Sequence, residues 1–283
     1  MNQKKKNRKH RKMNKTHMAI FVTICTTFVL TLALIVYAIY SVFFMHNYDI
    51  ILKNPLLNLP QSFLNEECLD GDMYKNYEDE NYRSELGIDV SSHQGDIDWQ
   101  RVAESGIEFA YIRVGYRGYQ GGSLNLDEKF YDNYKGAKEA GLKVGVYFFS
   151  QAINQKEAID EAYFVRDKIR GLDIDLPIAY DLEDIDYDEG RIRYLSKEER
   201  TISAISFAAK TEEFGYQTII YTNLEWSLFH YDLNKIMNYD IWFAQYYELP
   251  YFEYAFKIWQ YTDQGVIPGI KEPVDLNLML IKK

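Results

Sequence analysis

A chain of 283 residues has room for one large domain or two small ones. Its formal charge of −10 conceals an asymmetry: residues 1–17 hold eight Lys or Arg and no acid, leaving 24 basic against 42 acidic residues, a net of −18, for the rest. A domain that acidic repels phosphates, which argues against a nucleic-acid partner.

The basic residues, Lys4 to Lys15, precede an uncharged run, Met18 to Met45. As a helix its 28 residues extend roughly 42 Å, enough to cross a hydrocarbon core of about 30 Å. The positive-inside rule then keeps the N-terminus in the cytoplasm and exports the C-terminal bulk. A cleaved signal peptide is the competing reading. The run is long for that, and no small-x-small cleavage site follows it. The expected organisation is a cytoplasmic tail (1–17), a transmembrane signal-anchor (18–45), an extracytoplasmic spacer (46–85) and a folded domain (86–283). The spacer is increasingly acidic, without a clean period, and has at most a short helix around Pro60 to Glu67.

From Leu86 strands and helices alternate. The expected strands are 86–91, 107–115, 142–150, 176–184, 217–223, 240–246, 256–262 and 276–281. Helices with start and stop signals separate the earlier ones. Asp98 is a plausible N-cap, Asn154 with Glu157 has capping-box spacing, and Ser196 with Glu199 is a capping box. Phe130, Tyr134 and Ala137 mark one helix face; Ala158, Ala162, Val165 and Ile169 mark another; Ile202, Ile205 and Ala209 mark a third. This rhythm implies a mainly parallel sheet, and about eight strands in about 200 residues imply closure. Residues 246–255 are too few for a full crossover helix. The expected fold is therefore α/β, an irregular, flattened (β/α) barrel of the TIM-like kind, preceded by a single transmembrane helix.

The stretch with the strongest chemical signal is Leu176 to Asp184, LPIAYDLED. Side chains alternate along a strand, so Asp181 and Glu183 share a face at its C-terminal end. Paired carboxylates there suit cleavage of a glycosidic bond, although D-x-E alone equally fits a solvated strand end. In such barrels the site lies at the C-terminal strand ends. Those ends also carry Asp89, Tyr147, Phe149, Tyr221, Asn223, Gln245, Trp259 and Tyr261, with Asp275 in the loop before the final strand. Each aromatic taken alone fits the core; their joint position suits an aromatic bowl for sugar rings. Ser91, Ser92, His93 and Asp89 lie too close together along the chain to converge as a hydrolase triad. Cys25 and Cys68 occupy an apolar and a polar stretch, so no disulfide between them is expected. His93 and His230 have no His or Cys at ligand spacing, so neither a metal site nor a cofactor is expected.

Seven blocks, GIDVSSHQGDIDW (87–99), VGVYFFSQA (144–152), AYDLED (179–184), IIYTN (219–223), WFAQY (242–246), IWQYTDQGVIPGI (258–270) and VDLN (274–277), resemble glycoside hydrolase family 25 lysozymes, in the family's order. The resemblance implies a muramidase cutting the β-1,4 bond between N-acetylmuramic acid and N-acetylglucosamine in peptidoglycan. It implies Glu183 as proton donor with Asp181 beside it, and Asp89 and Asp275 as the remaining acids. Tyr147, Tyr221, Gln245, Trp259 and Tyr261 are the expected substrate contacts. The expected partners are peptidoglycan strands and, through residues 18–45, a bacterial cell membrane. Many members carry a Lys and a Glu-Gly pair after the second strand, where this chain reads IRVGYRG, with Arg113 and Gly115. A non-catalytic wall-binding module and an assembly protein using the barrel for docking are the competing readings.

Overall fold

The computed structural model describes residues 15–52, 59, 62, 64–185 and 190–283, with side chains from 21–41 in the first helix. Contacts divide the chain into two units, Met1–Pro55 and Leu56–Lys283. Most of the basic tail, residues 60, 61 and 63 of the expected short helix and residues 186–189 lie outside the described residues; the end of that stretch forms a single 3-10 turn, Glu66–Cys68.

The described residues of the first unit form one helix, α1 (Lys15–Leu52). Its Phe21–Ser41 portion has a mean hydropathy of 2.3 and is long and apolar enough to cross a membrane. Its polar side chains need no water. Thr26 and Thr27 donate to the Thr23 carbonyl, Thr31 to that of Thr27, and Ser41 to that of Ala38.

The second unit begins with a ribbon, β1 (Leu69–Asp70) antiparallel to β2 (Asn76–Tyr77). The barrel starts with β3 (Tyr82–Val90). After it come α2 (Trp99–Glu104), β4 (Phe109–Arg117), a short β5 (Leu124–Leu126), α3 (Phe130–Glu139), β6 (Lys143–Ser150), α4 (Gln155–Ile169) and β7 (Ile178–Leu182). The chain continues through α5 (Lys197–Glu213), β8 (Thr218–Asn223), α6 (Leu233–Ile236), β9 (Asp240–Ala244), β10 (Ile258–Gly265) and β11 (Val274–Lys282). Strand order is β3-β11-β10-β9-β8-β7-β6-β4, with β3 pairing to β4 to close eight strands, and β5 hanging from β4 outside the ring. All neighbours in the ring are parallel except β11, which is antiparallel to both β10 and β3. The late crossovers are short: α6 has four residues, and 245–257 holds no helix.

Capping follows the sequence. Asp98, Asn154 and Ser196 each accept a backbone N–H of the helix they start, and Glu199 completes the box at Ser196. On α5 the expected face is rotated. Ala204, Phe207, Ala208 and Thr211 are buried, whereas Ile202 and Ile205 are half-buried and Ala209 is exposed. Small residues bring α5 close to the barrel, where Phe207 meets Tyr180 at 4.9 Å between ring centroids.

Inside the ring, Phe109, Tyr111, Ile219, Trp242 and Ile258 form the packed floor. Glycines on neighbouring strands make room for it. A Cβ on Gly87 would meet the Phe109 ring at 2.3 Å, and one on Gly145 would meet the Tyr111 ring at 2.6 Å. Small-to-large changes there overpack the floor on which the cleft rests.

The stretch expected as a spacer is built onto the barrel from residue 64. Tyr77 is fully buried, and Tyr82 to Glu85 already belong to β3. Lys75, 7% exposed, lies 5.8 Å from the ring centroids of both Trp259 and Tyr261 and pairs with Glu248 at 3.0 Å. The Tyr261 hydroxyl donates to the Met73 carbonyl. An acidic, aperiodic sequence hid this because the strap is held by a few long-range contacts rather than by a repeating face.

Candidate active site

A cleft of about 240 Å³ opens at the C-terminal ends of the barrel strands, and Asp89, Asp181, Glu183 and Asp275 all face it. Strand parity places them. Asp89 is the penultimate residue of β3, Asp181 lies on β7 opposite Phe149 of β6, and Glu183 follows two residues on, just past β7. Asp275 is not in a loop: it pairs directly with Asp89 across the antiparallel β3–β11 contact. Antiparallel closure thus brings the start of one strand to the end of another, and two acids meet.

Asp89 is held by amides. Gln260 Nε2 and Asn277 Nδ2 both donate to its Oδ2, each at 2.8 Å. The amide orientations follow from their other partners. The Trp242 indole, which can only donate, reaches Asn277 Oδ1 at 2.8 Å. The Tyr221 and Tyr246 hydroxyls donate to Gln260 Oε1 at 2.9 and 3.0 Å. Both amides therefore present N–H to Asp89, which favours its carboxylate form. Burial outweighs them and pushes it up to about 6.

The other acids rise further. Burial, then the nearby charges of Asp89, Asp263 and Glu183, pushes Asp275 up to about 9. Burial pushes Glu183 up to about 7, and Asp89 adds to that. Burial followed by repulsion from Glu183 and Asp89 holds Asp181 well above the usual carboxylate range. Asp181 and Glu183 act directly on each other, and the raised values of both favour a proton held on the pair. Such an arrangement can deliver a proton at one point while a neighbouring carboxylate carries negative charge.

Gln151, just beyond β6, fixes the backbone of Glu183 by donating to its carbonyl at 2.9 Å. Arg191 in turn donates to the Gln151 carbonyl at 3.1 Å and pairs with Glu157.

The aromatic expectations divide. Tyr147 and Tyr221 line the cleft. Trp259 and Tyr261 do not: they are 0% and 4% exposed and lie on the outer side of β10 beneath Lys75. Gln245 also lies off the cleft. Its Oε1 accepts the Tyr251 N–H and its carbonyl accepts the Trp259 indole, so it shapes the loop carrying Tyr246. The inward residue of β10 is Gln260. In IWQYT both faces carry large apolar groups, so alternation alone left the inward face ambiguous. Sequence reasoning also missed Trp242, Tyr246, Asn277 and Gln151. Trp242 and Tyr246 were legible only as a neighbouring pair around the strand end, and the amides Gln151 and Asn277 only as members of the blocks VGVYFFSQA and VDLN.

A sequence profile of the glycosyl hydrolases family 25 matches residues 88–270. The chain belongs to this family. The match includes Asp89, Asp181, Glu183 and Gln260, and stops short of Asp275 and Asn277. This family 25 chain is 31% identical over 199 residues to the autolytic lysozyme of Clostridium acetobutylicum, which covers 68% of this chain and 54% of that one. It thus spans about half the length of that relative. A family 25 glycosyl hydrolase from Bacillus anthracis superposes with a TM-score of 0.59 at 25% identity, over 74% of this chain and 91% of that one. The modular autolysin LytC of Streptococcus pneumoniae, solved with a synthetic peptidoglycan ligand, superposes with a TM-score of 0.63 at 24% identity, over 69% and 46% of the two chains. These likenesses extend over the irregular barrel.

Proposed function

We propose that this family 25 chain is a membrane-anchored muramidase that hydrolyses the β-1,4 bond between N-acetylmuramic acid and N-acetylglucosamine in peptidoglycan. The observation that carries the reading is the cleft itself: four acids around a sugar-sized space, walled by Tyr147, Tyr221, Trp242 and Tyr246. Relatives named as a lysozyme and as an autolysin with a peptidoglycan ligand support the substrate class.

Glu183 is the general acid. It protonates the leaving oxygen as oxocarbenium character builds on the sugar. Asp181 orients the substrate's acetamido group for attack on the anomeric carbon, so the reaction is substrate-assisted and retains configuration. Asp89, ionised between two amides, stabilises the developing positive charge; Asp275, protonated at neutral pH, offers a hydrogen bond instead of a second negative charge. Tyr147 and Tyr221 contact the sugar at the cleft wall, with Trp242 and Tyr246 in the places first expected for the β10 aromatics.

The acid limb of the pH–rate profile comes from protonating Asp89 near 6, and the basic limb from removing the Glu183 proton near 7. A narrow optimum between those values is expected. The deciding experiment is mass spectrometry of fragments released from purified cell walls by the full chain in detergent. New reducing ends on N-acetylmuramic acid are expected. Reducing ends on N-acetylglucosamine, or wall binding without release, would overturn the assignment. Retention of configuration is checked by NMR of the first-formed anomer.

For the anchor, the eight cations before the apolar run 18–45 support an N-terminus in the cytoplasm and a barrel outside. Protease added to intact spheroplasts is expected to degrade the barrel; full protection would reverse the orientation.

A further inference from the structure

Arg113 is the only Lys or Arg among the described residues lining the cleft, in a wall otherwise dominated by carboxylates. It is held rigidly. Its Nε donates to Asp127 Oδ2 at 2.8 Å and one Nη2 hydrogen to Ser92 Oγ at 3.2 Å, while the guanidinium lies 5.4 Å from the Tyr116 ring centroid. Asp127 is fully buried and also accepts the Ser92 and Lys129 N–H groups, so the anchor cannot swing away. Two of five guanidinium donors are thereby used. Nη1 has no hydrogen-bond partner among the described residues, and the side chain stays 13% exposed where the cleft opens. Arg113 sits in register beside Tyr147 and close enough to Asp181 to act on its charge.

We infer that Arg113 is a specificity-determining residue which takes a carboxylate carried on the lactyl arm of a muramyl residue. This rests on the muramidase reading and names what in the substrate is recognised. The sugar strand brings an anion into a cleft of acids, so without a cation the cleft would reject it. A planar guanidinium with one edge fixed by Asp127 and Ser92 and the other free is preset to receive carboxylate oxygens; a Lys at this place would offer only a point charge. N-Acetylglucosamine has no such arm and leaves those donors unpaired. The carboxylate can be the free lactyl acid of a strand stripped of peptide, or an acid of a short peptide attached there. If it is the free acid, the reaction that supplies the preferred substrate is an amidase-type cleavage of the lactyl–peptide bond.

The test measures binding, so that it does not require turnover. The full chain in detergent carrying Glu183→Gln is titrated calorimetrically with three tetrasaccharides: N-acetylglucosamine–muramic acid repeats with free lactyl acids, the same repeats amidated at those acids, and an N-acetylglucosamine oligomer. A fourth ligand carries a dipeptide on each lactyl arm. The free-acid strand is expected to bind about 10- to 100-fold more tightly than the uncharged oligomer, the range of a charge-assisted hydrogen bond. Adding Arg113→Ala should abolish that preference while leaving the uncharged oligomer's affinity in place, and Arg113→Lys should restore part of it. Tighter binding of the dipeptide ligand than the free acid moves the carboxylate to the peptide. Equal binding of all four ligands, or a preference that survives Arg113→Ala, overturns the inference. So does a uniform loss across all ligands in Arg113→Ala, which assigns Arg113 to holding Asp181 and the loop. Wall digestion by the chain with native Glu183 is scored separately, so failure of the muramidase reading is visible on its own.

Discussion

Glu161, fully buried on α4, and Glu183, half-buried in the cleft, are acids that loss of solvent pushes up to about 7, yet their surroundings are opposite. Glu161 is satisfied on every side. Arg117 Nε reaches its Oε1 at 2.6 Å and Ser150 its Oε2 at 2.7 Å, and Arg117 gives one hydrogen of each terminal nitrogen to the carbonyls of Gly122 and Glu157. Glu183 faces open space beside other acids, and the cleft's cation, Arg113, is committed to Asp127. One buried acid is closed by protein partners and serves packing. The other faces the cleft, which under the proposed function leaves room for the substrate as its partner. A shifted titration says little about function by itself; what surrounds the group decides.

The largest expected effect separates the two acids by rate. Glu183→Gln should cost at least about two decades of hydrolysis, the usual worth of a general acid, without lowering the thermal midpoint. A loss of stability comparable to the loss of rate would merge the two regions and break the comparison. The reverse holds for the structural cluster. Arg117→Met leaves Glu161 buried and unpaired, and should destabilise folding by about 3–5 kcal/mol in denaturant titrations while activity per folded molecule is kept. Glu161→Gln in that background should recover part of the loss.

A subtler test uses pH. Asp89, Glu161, Glu183 and Asp275 have folded values above their ordinary ones, so the folded state binds more protons than the unfolded chain. Their stabilising contribution is complete below about 4 and is lost as pH rises through about 6 to 9. The thermal midpoint should therefore fall between pH 5 and pH 9. Asp275→Asn, which removes the acid raised furthest of these four, should flatten that slope; an unchanged slope would move the cost elsewhere. The smallest effect concerns the strap. Lys75→Ala removes a cation over two rings and an exposed ion pair, worth about 1 kcal/mol in the same titration.

The strands of the barrel were legible because their apolar runs are short and bounded by breakers, and Asp181 with Glu183 stood out because alternation put both on one face. Legibility failed where alternation carries no contrast. In β10, Ile258, Trp259 and Tyr261 are all bulky and buried, so the polar Gln260 was the only cue to the inward face. It failed again for Asp275, because hydrophobic pattern does not report strand direction. The strap was unreadable for a third reason: Lys75 looks like any surface lysine until the aromatic pair from nearly 190 residues downstream, reached by hydrogen bonds such as Lys75 N–H to Tyr261, covers it.

The reversed direction of β11 has a consequence for how the molecule comes into being. Because that strand is wedged between β10 and β3, the first wall of the cylinder waits for the last segment of the polypeptide before it gains its second neighbour. Long-range closure of this kind is slow. Gln260 and Asn277, the groups that grip Asp89, arrive in that same final stretch. A nascent chain still emerging during synthesis thus carries Asp181 and Glu183 before the amides that grip Asp89 exist, so the cleft is assembled only once the cylinder is sealed.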